Sequence, residues 1–160
     1  MLLRNTDRAY NLGRSTMFVE PAATIYEGSA VGDSSGYARA LVAGDRFCGF
    51  ALDLVVGAAD GSSVVDLASK GAVELAVDSV AITDIGKAVY ASDDGTFSLT
   101  SGSDSYVGVV FRFVSAGYAL VKFNANHKAG VIALASVGNT QSGDVSAAIN
   151  ANFAAIKKLL

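Results

Sequence analysis

The chain has 160 residues, 51% of them hydrophobic, with 17 glycines, one proline, one histidine, one cysteine and no tryptophan. A chain of this length buries about 68–70% of its unfolded surface, so it needs no metal or disulfide staple, and the lone Cys48 excludes an internal bridge. The net charge of −3 is uneven: Arg4, Arg8 and Arg14 face only Asp7 in residues 1–19, and Lys128, Lys157 and Lys158 face only Asp144 in residues 128–160. Six basic and thirteen acidic side chains lie between. An acidic body without a basic, aromatic-interleaved stripe excludes nucleic acid as the expected partner. No apolar run reaches the roughly 18–20 residues of a membrane span, and Arg4 interrupts the run a secretory leader would need. A protein made in a cytoplasm, with no membrane partner, is therefore expected.

Residues 1–23 show no periodicity and hold the only proline, Pro21, which predicts an extended N-terminal arm. Residues 24–124 predict a compact antiparallel β-barrel or sandwich body. Its first strand is expected at Ala23-Thr-Ile-Tyr-Glu27, rich in the residue types strands favour. Glycine and serine between 28 and 36 predict a loop. Extended character resumes from Gly36 to Leu41, and 43–45 turns the chain into the apolar run 46–56. A loop at 57–63 and a short strand at 64–67 follow.

Beyond Lys70 the alternation is clearest, in Ala72-Val-Glu-Leu-Ala-Val77, Gly86-Lys-Ala-Val-Tyr-Ala91, Thr96-Phe-Ser-Leu99, residues 106–114 and Tyr118-Ala-Leu-Val-Lys-Phe123. Period-two alternation bounded by turn residues is the strand signal. Asp93-Asp94-Gly95 between two strands predicts a tight hairpin using glycine's positive φ. At a constant offset of 59, Gly36, Asp45, Phe47, Gly49, Leu52, Leu54 and Val55 align with Gly95, Asp104, Tyr106, Gly108, Phe111, Phe113 and Val114. Either the body is internally duplicated, or glycine-bounded strands simply resemble one another.

Residues 125–143 read as a connector, with one more short strand or link at 131–135. Residues 144–160 predict a helix. Val145, Ile149, Phe153, Ile156 and Leu160 recur at spacings of four, four, three and four, and form one apolar stripe. Lys157 and Lys158 in its last turn suit the helix dipole. At ~25 Å such a helix needs a packing partner, either its own body or a neighbouring chain.

Catalytic patterns are scarce. His127 is the only histidine, so a Cys–His pair requires Cys48, which reads as a buried thiol in a strand. No strand is expected to lead into Gly32-Asp-Ser-Ser-Gly36, as a nucleophile elbow would need. No phosphate-cradling loop is present. Asp60, Asp93 and Asp94 precede glycine and fit turn chemistry better than a calcium loop, which needs further oxygen ligands at regular spacing. Tyr10, Tyr26, Tyr37, Tyr90, Tyr106 and Tyr118 either line a sugar site or pack along strands.

Lys70-Gly-Ala-Val-Glu-Leu-Ala-Val77, Ile85-Gly-Lys-Ala-Val-Tyr-Ala-Ser-Asp-Asp-Gly95, Tyr106-Val-Gly-Val-Val110 and Gly117-Tyr-Ala-Leu-Val-Lys122 together resemble tailed-bacteriophage capsid decoration (cement) proteins. Gly44-Asp-Arg-Phe-Cys-Gly-Phe-Ala-Leu52 fits the same pattern, and the resemblance covers residues 24–124. It implies a virion structural protein on the outer capsid surface, not an enzyme and without cofactor or metal. Such a protein bridges major capsid subunits of the expanded head, as a homotrimer at threefold positions. The candidate contacts are Arg4, Arg8, Tyr10 and Arg14 of the arm, with Val145, Ile149, Phe153, Ile156 and Leu160 of the stripe. A tail- or fibre-associated β domain binding a partner protein or host glycan is the alternative.

Overall fold

The computed structural model describes residues 13–125. Arg4, Arg8, Tyr10, His127, the 131–135 segment and the helical stripe of Val145, Ile149, Phe153, Ile156 and Leu160 lie outside the described residues. In chain order the strands are β1 (Arg14–Phe18), β2 (Thr24–Ile25), β3 (Ala30–Ser34), β4 (Tyr37–Ala40), β5 (Arg46–Ala51), β6 (Val55–Val56) and β7 (Val64–Ala68). They continue as β8 (Lys70–Ala76), β9 (Ala88–Ala91), β10 (Phe97–Ser98), β11 (Ser105–Ser115) and β12 (Tyr118–Asn124), with one short 3₁₀ turn at Ile82–Asp84. The fold is mainly β.

Two five-stranded antiparallel sheets result. The first has the order β1-β7-β5-β3-β4 and the second β8-β12-β11-β9-β10; β2 and β6 pair as a separate ribbon. The orders are the same when strands are matched by position: β1 with β8, β7 with β12, β5 with β11, β3 with β9, β4 with β10. The registers agree as well. Ala51 lies opposite Leu67 as Val110 lies opposite Val121, and Met17 opposite Val65 as Leu75 opposite Ala119.

Each central strand carries a bulge at the same place, skipping Cys48 in β5 and Val107 in β11. The Gly28 N–H donates to the Ala51 carbonyl as that of Gly86 donates to Val110. The constant offset of 59 holds for β5 and β11. It is 58 ahead of the β9–β10 turn, because that loop is one residue longer, and 54 for β7 and β12.

Closing a sheet into a barrel needs a ladder between its first and last strands. Here the edges meet at a single parallel bridge in each sheet, Val19 to Ala38 and Val77 to Phe97, and neither sheet closes. The expected barrel is therefore corrected to two curled, open sheets.

Three local expectations are also corrected. Residues 14–18, read as arm, form edge strand β1 on β7; its inward residues are Ser15 and Met17, so its hydrophobic alternation is weak. Residues 30–34, read as loop, form β3 between β4 and β5, because sheet hydrogen bonds outweigh the Gly-Asp-Ser composition. The positive φ expected at Gly95 belongs instead to the matching two-residue hairpin, at Ser35 (φ 54°) and Gly36 (φ 96°), the conformation of a type I′ turn.

The first sheet buries Val19, Val31, Ala38, Cys48, Ala51, Val65 and Leu67 on one side, with Ile25 of the ribbon over them. The second sheet buries Val77, Val89, Phe97, Val107, Val110, Ala119 and Val121 at the matching positions. Phe47 and Phe50 leave the first sheet by its other face and enter this second core. Phe50 sits 4.9 Å from the Phe123 ring and 6.2 Å from that of Phe97. Backbone pairing joins the halves too: the Ala30 N–H donates to the Asp94 carbonyl at 2.8 Å.

Candidate interaction surface

The carboxylates are engaged in holding the scaffold. Asp93 Oδ1 accepts from the Gly95 and Thr96 N–H groups at 2.9 and 2.7 Å, and these bonds hold its carboxyl below the ordinary value. Asp60 accepts from the Ser62 hydroxyl and N–H, which lower it likewise. Lys87 and the Ala81 N–H lower Asp84.

Arg39 donates twice to Asp45, from Nε at 3.1 Å and from its terminal nitrogen at 2.9 Å. Burial pushes Asp45 up, but the Arg39 and Val42 hydrogen bonds outweigh it and the net shift is downward. Arg46 bonds Asp33 Oδ2. No group of three metal-ligating side chains occurs among the described residues.

Cys48 is buried, and burial pushes its thiol above the ordinary value, which disfavours the reactive thiolate. Ser34, in the glycine-flanked run considered above, ends β3 before a hairpin rather than a helix, and its hydroxyl donates to Glu20 at 3.3 Å. No helix among the described residues is long and apolar enough to cross a membrane.

What the body offers outward is apolar. On the outer face of the second sheet, Tyr90 and Tyr106 pack edge to face at 6.0 Å; burial raises the Tyr106 phenol. Val109 lies beside them, half-buried. A second bulge, between Val110 and Arg112, releases Phe111 from the ladder and leaves it 58% exposed. A bulge re-aims a side chain in this way. With Lys70, Ala72 and Lys122, Phe111 borders a groove of about 490 Å³. Ile85 is 54% exposed next to Gly86, whose N–H is bonded to Val110. The first half has its own exposed set, in Phe18, Leu54, Val56 and Val64.

Of the contact residues expected from sequence, only Arg14 is described; it heads β1, exposed, opposite Ala68. Sequence reading missed Phe111 and Ile85. Phe111 closes the apolar run 107–111 just before Arg112, where nothing marks a bulge, although its alignment with Leu52 placed it correctly. No family model, curated protein or solved structure matches the chain.

Proposed function

We propose that the chain is a capsid decoration protein, bound to the outer surface of an expanded phage head and bridging major capsid subunits. The observation that carries this reading is a twice-repeated β body with large apolar side chains exposed, Phe18, Leu54, Ile85 and Phe111 among them. Exposed apolar patches mark surfaces that dock, and the carboxylates described above are tied to backbone and basic partners. The four segments carrying the resemblance also belong to one hydrogen-bonded sheet, as β8, β9, β11 and β12. Binding the assembled lattice but not its free subunits stabilises the lattice by mass action. The sandwich, the arm and the C-terminal helix belong to the same proposal, as does a trimer on the shell.

Co-sedimentation with expanded, undecorated heads and with unexpanded proheads tests it. Saturable binding to expanded heads alone is expected; binding to neither overturns it. The exposure of Tyr26, Tyr37 and Tyr118, at 63%, 41% and 48%, favours a second reading, a tail or fibre domain that binds host glycan. A glycan-binding screen separates the two.

A further inference from the structure

We infer that copies of this chain associate head to tail, the outer face of the second sheet docking on an acidic strip of the first sheet of the next copy. This stands on the correspondence between the halves and is independent of shell binding. In the first half, Ala30, Phe47 and Phe50 are buried against the second half, and Ala68 packs beside them. The matching positions in the second half are Ala88, Tyr106, Val109 and Lys122, which no further half covers among the described residues. Ala88, Tyr106 and Val109 stay half-buried and Lys122 exposed. Phe111, the counterpart of Leu52, is 58% exposed against 37% for Leu52, which lines the crevice between the halves with Ala72 and Val73. Among the described residues the same face is thus covered in the first half and open in the second. A second copy brings a surface of complementary charge to this open face.

Charge selects the receiving surface. The open face carries Lys70, Arg112 and Lys122 around its apolar centre, against one carboxylate, Glu74. Residues 13–69 hold seven carboxylates against three cations. In the first sheet Thr16, Phe18, Val64 and Asp66 share one outward face, Phe18 opposite Val64 and Thr16 opposite Asp66. Asp53 is held alongside by the Asp66 N–H, with Leu54 58% exposed next to it. Arg14 is the single cation of that strip. An apolar, basic face meets an apolar, acidic one, and complementary charge fixes register and partner. Two different patches make a heterologous contact, which closes to a ring or extends.

Sedimentation equilibrium of the full chain from about 1 to about 500 µM tests this, with Phe111→Glu and Phe18→Glu as variants. Both positions are exposed, and unchanged circular dichroism and melting verify the folds. Reversible association of the unaltered chain is expected, with each variant monomeric alone. Mixed, the two variants form a 1:1 dimer, because one keeps its acidic strip and the other its basic face. A monomeric unaltered chain, a variant that still associates, or a mixture that stays monomeric overturns the inference. The assay contains no capsid, so its outcome is separate from that of the head-binding experiment.

Discussion

Gly49 and Gly108 hold the same place in the two central strands, one residue past each bulge. A Cβ at Gly49 would overlap the Ala68 carbonyl oxygen, and one at Gly108 would overlap that of Lys122. Both obstacles are backbone, which cannot swing aside. Gly108→Ala and Gly49→Ala should each cost about 3 kcal/mol, read from urea midpoints. At Gly86 nothing lies within 4 Å and only the positive φ of 88° resists a side chain, so Gly86→Ala should cost about 1–2 kcal/mol.

Asp45 adds a pH dependence. Its carboxyl lies below the ordinary value in the fold, so the stability it contributes is present above the unfolded value of about 3.9. That contribution fades as pH falls through the lower folded value. Asp45→Asn should therefore melt below the unaltered protein at pH 7, and the gap should narrow as pH falls below about 3.9; an equal gap at both ends would refute the assignment. The aligned glycines were legible in the sequence. Their reason was not, since it is a neighbouring strand's carbonyl that only pairing brings near.

At the scale of elements, β5 and β11 organise the halves, and their difference decides what each does. β5 points Phe47 and Phe50 into the other half; β11 places Tyr106 and Val109 at the same positions and leaves them half-buried. Phe50→Ala removes a ring in contact with three others and should cost about 3–5 kcal/mol. Phe111→Ser, on an exposed bulge, should stay within about 0.5 kcal/mol. Equal losses for the two would mean that Phe111 is packed. The strands from β8 onward were readable because Val, Leu and Tyr alternate with polar residues. β3 was not, because Gly32, Asp33 and Ser34 carry a loop composition and owe their extended shape to neighbours on both sides. β1 failed for the same kind of reason, its inward residues being serine and methionine.

For the whole body, the question is whether two copies of one topology unfold as two domains or as one. Each sheet has its own buried cluster, which argues for two. Against that, the second cluster is completed by Ala30, Leu41, Phe47 and Phe50 from the first half, and the Val42–Asp93 bridge and the Ser105-to-Val42 hydrogen bond cross the boundary. Removing the first half would uncover Phe97 and Phe123, so the second core is not self-sufficient. A single calorimetric transition is expected, with an enthalpy of about 80 kcal/mol or more for residues 13–125 near 60 °C, at about 0.7 kcal/mol per residue. The van't Hoff enthalpy should match it. Phe50→Ala should move that transition down without splitting it. Two resolved transitions of about 40 kcal/mol each would show instead that the shared aromatic cluster does not couple the halves.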